Sequence, residues 1–180
     1  MRKRTLLGLL GLCLVLVFSA AIVALAEGET AAPPNLLENG DFEAGEVLPW
    51  TGYGATTELV TDDVHGGKYA GKGYFDTSWG GGLFQSFRAA KGRYHVVMWV
   101  KPGPGAGNNK IWVGVKKFDQ MDEKKQVAVT VDEALGWQKV ELDFKMTAKM
   151  AEIWAWSSAL SGQPKGGWVM LDDCVVTPAQ

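Results

Sequence analysis

The sequence predicts an all-β protein built from antiparallel strands. From residue 35 onward, short runs rich in β-branched and aromatic residues recur, and Gly, Pro, Asn and Asp separate them. No long segment shows the apolar period of about 3.6 residues that an amphipathic helix requires. About ten such runs at this spacing are typical of an antiparallel sandwich or barrel.

The individual strands follow from these runs. We expect strands near residues 35–43, 56–61, 70–75, 82–89, 93–101, 110–118, 126–131, 137–146, 151–157 and 167–176. The glycine- and proline-rich segment after Lys101 lies between two runs that both alternate like core strands. We therefore interpret it as a loop within one domain and not as a linker.

The first residues combine a basic start with a long apolar run. Residues 2–4 are Arg-Lys-Arg, and the apolar run extends from Leu6 to Ala26. This pattern predicts a secretory signal peptide over residues 1–26 that is cleaved after Ala26. The run is also long enough for an uncleaved membrane anchor. Both alternatives place the remaining chain outside the cytoplasm, either secreted and extracellular or in a periplasm.

The rest of the chain has the size of one domain. Residues 27–34 (EGETAAPP) predict an exposed linker, and residues 35–178 suffice for one domain with one core. Cleavage removes three of the 18 basic residues and none of the 20 acidic ones, so the mature chain has a net charge of about (18 − 3) − 20 = −5. It has no prominent cluster of Lys or Arg, and we therefore expect no nucleic-acid partner. After cleavage Cys174 has no partner for an internal disulfide, and we interpret it as a small buried apolar residue.

The positions of the tryptophans suggest a ligand-binding face. In EIWAWSS, Trp154 and Trp156 point away from Ile153 and Ala155, and Trp112 alternates in the same way in KIWVGVK. If the aliphatic residues face the core, three indoles lie on one outer face, where soluble proteins seldom expose so much aromatic surface without a ligand. Alternatively, the faces are reversed or a loop covers the indoles, because Trp is highly buried on average.

Polar side chains share this predicted outer face. Arg88, together with Ser86 and Glu152, has the same parity as the indoles and can supply polar contacts. Trp79 lies in a glycine-rich turn, where it either contacts a ligand at the rim or stabilises a folded loop. Aromatic platforms with a few polar groups suit the apolar faces and hydroxyls of sugar rings.

Several segments occur in a familiar order and spacing. They are residues 35–43 (NLLENGDFE), Trp50, the turn His65-Gly66-Gly67, Gln85, the strand from Gly92 to Lys101, and the closing run from Asp172 to Val176. Over about residues 35–176 the chain resembles jelly-roll carbohydrate-binding modules, the group that includes families 4, 9 and 22. The resemblance implies an antiparallel β-sandwich, a jelly roll of about eight to ten strands. It also implies that strands 82–89, 110–118, 126–131 and 151–157 share one sheet, whose outer face binds glycan chains.

The resemblance further implies a structural calcium ion between the first strand, the His65 turn and the last strand. Its implied ligands are Glu43 and Asp172, joined by Asp41 and by backbone oxygens of the turn as far as Lys68. Calcium prefers several hard oxygen ligands of this kind. The alternative is that these acids are ordinary strand-end carboxylates that face water.

Catalytic motifs are not apparent. The sequence holds only two histidines and shows no HExxH, zinc-type Cys/His or phosphate-cradling motif, although two carboxylates alone can serve a glycosidase. We therefore predict a secreted, non-catalytic module that binds a plant- or microbial-type polysaccharide. The alternative is an extracellular protein-interaction or adhesion domain on the same galactose-binding-like scaffold. An open groove of indoles favours the first, and indoles beneath loops favour the second.

Overall fold

The computed structural model describes residues 32–75, 80–103, 110–117, 120–123, 129–130, 133–157 and 167–179, and between residues 110 and 133 it describes the backbone alone. By its internal contacts the chain divides into two units, Met1–Ala31 and Ala32–Gln180. The predicted signal peptide and most of the predicted linker lie outside the described residues and stay predictions. Within the described ranges, no helix is long and apolar enough to cross a membrane.

The described residues form eleven strands and one short 3-10 helix, Glu133–Leu135. The strands are β1 (Thr51–Tyr53), β2 (Thr56–Val60), β3 (Ala70–Phe75), β4 (Gly81–Arg88), β5 (Gly92–Pro102), β6 (Lys110–Lys117), β7 (Gln120–Glu123), β8 (Val129–Thr130), β9 (Gln138–Met146), β10 (Met150–Ser157) and β11 (Gly167–Pro178).

These strands pair into two antiparallel sheets. Sheet A has the order β1-β4-β10-β6-β7, with β8 also paired to β6, and sheet B has the order β2-β3-β11-β5-β9. The strands from β3 to β6 alternate between the sheets, and β10 and β11 insert into the middle of opposite sheets. This is the jelly-roll sandwich that the sequence predicts. The four strands expected to share one sheet, here β4, β6, β8 and β10, do share sheet A.

Alternating burial along the strands forms the core between the two sheets. In β5 every second side chain is buried, and β9 repeats the pattern on the neighbouring strand. Sheet A supplies the facing layer through β4 and β10, whose core residues are Leu83, Phe87, Ala151, Ile153 and Ala155. Because side chains alternate across a strand, the residues between them must point outward. The Ile153 side of β10 is therefore the core side, as predicted.

The segment before β1 differs from the prediction. Residues 35–43 were expected to form the first strand, but they form successive turns. Asn39 and Phe42 adopt positive φ angles of 47° and 58°, which a strand does not tolerate. Phe42 is nevertheless buried, and the Trp50 Nε1 donates a hydrogen bond to the Asn39 carbonyl oxygen at 3.1 Å. The short strands β1 and β7 were not predicted.

This N-terminal segment is bonded to both sheets. The Asn35 side-chain amide donates to the Cys174 carbonyl at 2.9 Å, and its oxygen accepts from the Val176 N–H at 2.8 Å. On the other side, the buried Gln85 amide accepts from the Glu38 N–H at 2.8 Å and donates to the Glu38 carbonyl at 2.9 Å. These bonds hold the backbone of Glu38 beside β4.

Candidate functional site

The outward side of sheet A carries four aromatic residues, which we call the aromatic face: Tyr53, Phe84, Trp154 and Trp156. The strand register pairs Trp154 with Phe84 on one side and with Trp112 on the other. Phe84 stacks on the Trp154 indole with ring centroids 4.3 Å apart, and Tyr53 meets the same indole edge-on at 5.3 Å. The parity predicted for Trp154 is therefore confirmed.

Exposure differs along the aromatic face. Tyr53 is 60% exposed, and Phe84 and Trp156 are partly exposed. Trp154, in contrast, is only 8% exposed, so the expectation of an open indole at this position is wrong. Phe84 covers one face of its ring and Tyr53 packs against it, which makes Trp154 the support of the aromatic face.

A buried carboxylate lies next to the aromatic face. Glu152 is only 3% exposed although it points to the outward side. Its Oε1 accepts a hydrogen bond from the Ser86 hydroxyl at 2.9 Å, and its Oε2 accepts from the Trp154 Nε1 at 3.2 Å. Glu152 thereby fixes the orientation of the indole and links the aromatic rings to the polar end of β4.

The polar end of β4 borders a pocket, which we call the β4 pocket. Its volume is about 420 Å³. Ser86 and Arg88 contribute from β4, Met150 from the paired position on β10, and Glu38 from the N-terminal segment. Leu36 and Pro49 form an apolar wall. The predicted ligand residue Arg88 is exposed here, on the same side of the sheet as the aromatic face.

The ligand-binding role of all the predicted residues stays a prediction, and two unpredicted aromatic residues lie on the same face of the sheet. Trp79 and the side chain of Trp112 lie outside the described residues. Phe84 was missed although it has the same parity as Ser86 and Arg88 in β4, which is a usable signal. Tyr53 had no such signal, because β1 has only three residues, too few to show a periodic pattern in the sequence.

The carboxylates predicted to bind calcium hold the turn that begins at His65. Asp172 is fully buried. Its Oδ2 accepts from the His65 and Gly66 N–H groups at 2.9 and 3.0 Å, and its Oδ1 accepts from the Asp173 N–H at 2.8 Å. Burial raises the pKa of Asp172, while these three backbone N–H groups act in the opposite direction. Among the described residues no cationic side chain pairs with this carboxylate.

Glu43 holds the other end of the same turn. Its Oε1 accepts from the Lys68 and Tyr69 N–H groups at 2.7 and 3.0 Å. Gly67 lies against this carboxylate with φ of 60°, and a Cβ built there would lie 2.2 Å from the Glu43 Oε1. Only glycine allows this approach. The two carboxylates therefore converge on one turn, as the resemblance implies.

The arrangement is not a cluster of acidic side chains. The Asp41 Oδ1 accepts from the Glu43 N–H at 3.3 Å and so belongs to a local turn. Within the described part of the chain, no three His, Cys, Asp or Glu side chains converge in a way that would hold a metal ion. A calcium ion at this turn would therefore need backbone oxygens in addition to the carboxylates.

A second aromatic group packs the same turn onto the outward side of sheet B. The His65 ring stacks on Trp99 with centroids 3.7 Å apart, and Trp137 meets it edge-on at 6.1 Å. Asp63 accepts from the Trp137 Nε1 at 3.1 Å and forms an ion pair with Lys101. Since these polar groups satisfy one another, we interpret this group as structural.

Comparison with known proteins points to sugar recognition. Residues 34–155 match the family model for a carbohydrate binding domain, CBM_4_9. Among solved structures, TmCBM61 in complex with β-1,4-galactotriose is 25% identical, with 81% of this chain and 99% of that chain covered at a TM-score of 0.61.

Two further structures share the fold at lower identity. The CBM22-1 xylan-binding domain of Xyn10C from Paenibacillus barcinonensis is 17% identical, covering 83% of this chain and 97% of that chain at a TM-score of 0.61. A family 16 carbohydrate-binding module is 19% identical, covering 79% and 99% at a TM-score of 0.59. A search of curated proteins finds no match.

Proposed function

Because the chain belongs to the carbohydrate binding domain family CBM_4_9, we propose that residues 35–178 form a non-catalytic module that binds a polysaccharide or oligosaccharide on the outward side of sheet A. The observation that carries this proposal is the aromatic face: exposed Tyr53 and partly exposed Phe84 pack against the supporting indole of Trp154, and partly exposed Trp156 lies on the same side of the sheet. We propose that the module works outside the cytoplasm, in accord with the predicted signal peptide.

The arrangement supports different roles for the aromatic rings and the polar groups in sugar binding. Flat rings present apolar surface to the C–H faces of sugars, whereas sugar hydroxyls need hydrogen-bonding partners at fixed positions. Tyr53 offers the most exposed ring, and Trp112, paired in register with Trp154, continues the same row of residues. Ser86 and Arg88 supply the polar contacts at the end of the row.

The test is migration of the folded protein through native gels that contain soluble polysaccharides, followed by affinity measurement. The panel should contain β-glucan, xylan and galactan, since the similar structures include a galactotriose complex and a xylan-binding domain. Tyr53→Ala should weaken binding by about 1–3 kcal/mol, the scale of an aromatic hot spot. Tyr74→Ala is the matched control, because Tyr74 is a 45%-exposed tyrosine on sheet B.

The two variants separate the possible outcomes. Loss of binding in Tyr74→Ala but not in Tyr53→Ala would move the ligand to sheet B. If no polysaccharide of a broad panel retards the protein, the sugar-binding proposal fails, and the aromatic face then suits the alternative of a protein partner.

We also propose a structural calcium ion at the turn between Glu43 and Asp172. In support, both carboxylates contact this turn, and Asp172 carries a buried charge without a cationic side chain in the described part of the chain. The ion would be held by these two carboxylates, Asp41 and backbone oxygens as far as Lys68. It would offset the buried negative charge and tie the N-terminal segment to β11.

A further inference from the structure

Arg88 is a cation without a partner at the border of the β4 pocket. In the described part of the chain its guanidinium makes no ion pair and no hydrogen bond. Two lysines on sheet B, in contrast, form ion pairs: Lys72 pairs with Glu58, and Lys101 pairs with Asp63. Arg88 is therefore free to bind an anionic group that enters the pocket.

The walls of the β4 pocket are fixed by the fold. The reciprocal bonds between Gln85 and the backbone of Glu38 hold one side, and the Ser86 hydroxyl on the other side is oriented by its bond to buried Glu152. The volume of about 420 Å³ falls in the range of small-molecule sites, about 300–1,000 Å³. A single sugar ring fits such a space.

We propose that the β4 pocket binds a carboxylated sugar, so that the module prefers a glycan with scattered uronic acid residues over the same chain without them. This inference rests on the proposed sugar-binding function. The planar guanidinium of Arg88 can form two parallel hydrogen bonds with a carboxylate, which a neutral hydroxyl cannot match. Leu36 and Pro49 would face the C–H groups of the sugar ring.

The charges around the pocket limit the number of carboxylates that a bound glycan can carry. Glu38 lines the same pocket, and the chain as a whole has a net charge of −2. A polymer with a carboxylate on every residue would meet this negative potential along its length. A single carboxylate that reaches Arg88 would avoid it. The inferred ligand is therefore a largely neutral chain with occasional uronic acid groups.

The experiment compares glycans that differ only in their carboxylates. Two pairs serve as probes: glucuronoxylan with its carboxyl-reduced form, and galactan lightly oxidised at C6 with unoxidised galactan. We expect the wild-type protein to bind the carboxylated member of the bound pair on the order of tenfold more tightly, the gain of one charge-assisted hydrogen-bonded pair. Added salt should reduce this preference.

Two variants test whether the preference for the carboxylated glycan arises at the β4 pocket. Arg88→Gln should bring the affinity for the carboxylated glycan down to the affinity of the same variant for the neutral form, so that the preference disappears. Arg93→Gln is the matched control, because Arg93 is an exposed arginine on β5 in sheet B, and it should retain the preference.

Each other result overturns the inference. Equal affinities for both members of a pair would refute it while leaving sugar binding in place. If Arg93→Gln also loses the preference, the preference comes from the overall charge of the protein and not from the pocket. If polygalacturonate binds more tightly than either lightly carboxylated glycan, the ligand is not a largely neutral chain with occasional uronic acid groups. If neither pair nor any neutral polysaccharide binds, the sugar-binding function itself fails.

Discussion

Replacement of Trp154 should lower the stability of the fold, whereas replacement of its exposed neighbour Tyr53 should lower the affinity for glycan. Trp154 is 8% exposed and stacks on Phe84 at 4.3 Å, so Trp154→Ala should lower the free energy of unfolding by about 3–5 kcal/mol, as for a buried aromatic. Part of this loss arises because Glu152, also buried, loses the indole N–H that it accepts. Trp154→Phe keeps a ring against Phe84 but removes that donor, and should cost about 1–3 kcal/mol.

Tyr53 provides the comparison on the same face. Since Tyr53 is 60% exposed, Tyr53→Ala should change the free energy of unfolding by less than about 1 kcal/mol, the usual range for surface positions. Urea unfolding followed by circular dichroism measures all three variants, and an unchanged m-value would show that the unfolded reference is the same. Glycan affinity should be measured on the same samples at a temperature where each variant is folded.

One pattern would refute this reasoning. If Trp154→Ala unfolds within about 1 kcal/mol of the wild type but no longer binds glycan, Trp154 is an open contact residue and the stacked arrangement is wrong. If Tyr53→Ala instead loses more than about 2 kcal/mol of stability, Tyr53 belongs to the packed layer and not to the binding surface.

Further predictions concern the turn and the N-terminus. Chelation of calcium should lower the melting temperature and re-addition should restore it, whereas Asp172→Asn should not respond; identical melting curves for the wild type would exclude a stabilising ion. Burial raises the pKa of Asp172 in the folded protein, so this carboxyl ionises at a lower pH in the unfolded chain than in the folded one. In the presence of chelator, the free energy of unfolding of the wild type, relative to that of Asp172→Asn, should therefore fall as the pH rises from the ordinary carboxyl pKa toward the raised pKa of the folded protein. Gly67→Ala should destabilise the protein more than Gly45→Ala, since both glycines have positive φ but only a Cβ at Gly67 meets a neighbour; equal losses in thermal unfolding would mean that the contact with the carboxylate is unimportant. N-terminal sequencing should find Glu27 first in the exported protein, whereas an intact Met1 in the membrane fraction would favour the anchor.

Alternation along a strand was the part of the fold that the sequence predicted well. The motif EIWAWSS assigned Ile153 to the core and Trp154 to the outward side, and both assignments hold because parity is a local property of the backbone. Exposure is not local. Trp154 packs against Phe84 and Tyr53, which lie about 70 and 100 residues earlier in the chain, so parity alone gave the right side of the sheet and the wrong accessibility.

The N-terminal segment shows a second limit. Its apolar residues predicted a strand over 35–43, but the segment turns, and the Asn35 side chain takes the Cys174 carbonyl and the Val176 N–H of β11 in place of backbone groups. Asn and Asp side chains commonly replace backbone bonds in this way. The resemblance correctly brought Glu43 and Asp172 to one turn, since it reflects the fold as a whole. Only the structure shows that the carboxylate oxygens of Glu43 and Asp172 accept hydrogen bonds from backbone N–H groups.

The position of β11 means that sheet B can form as one sheet only after this last strand is present. In sheet B, among the described strands, β11 alone joins the pair β2–β3 to the pair β5–β9. It also carries the partners of Asn35, which lie 139 and 141 residues away in sequence. A chain that ends before β11 therefore has two halves of a sheet with nothing between them. Because residues 35 and 176 lie side by side, a circular permutant that joins them and opens an exposed turn should still fold.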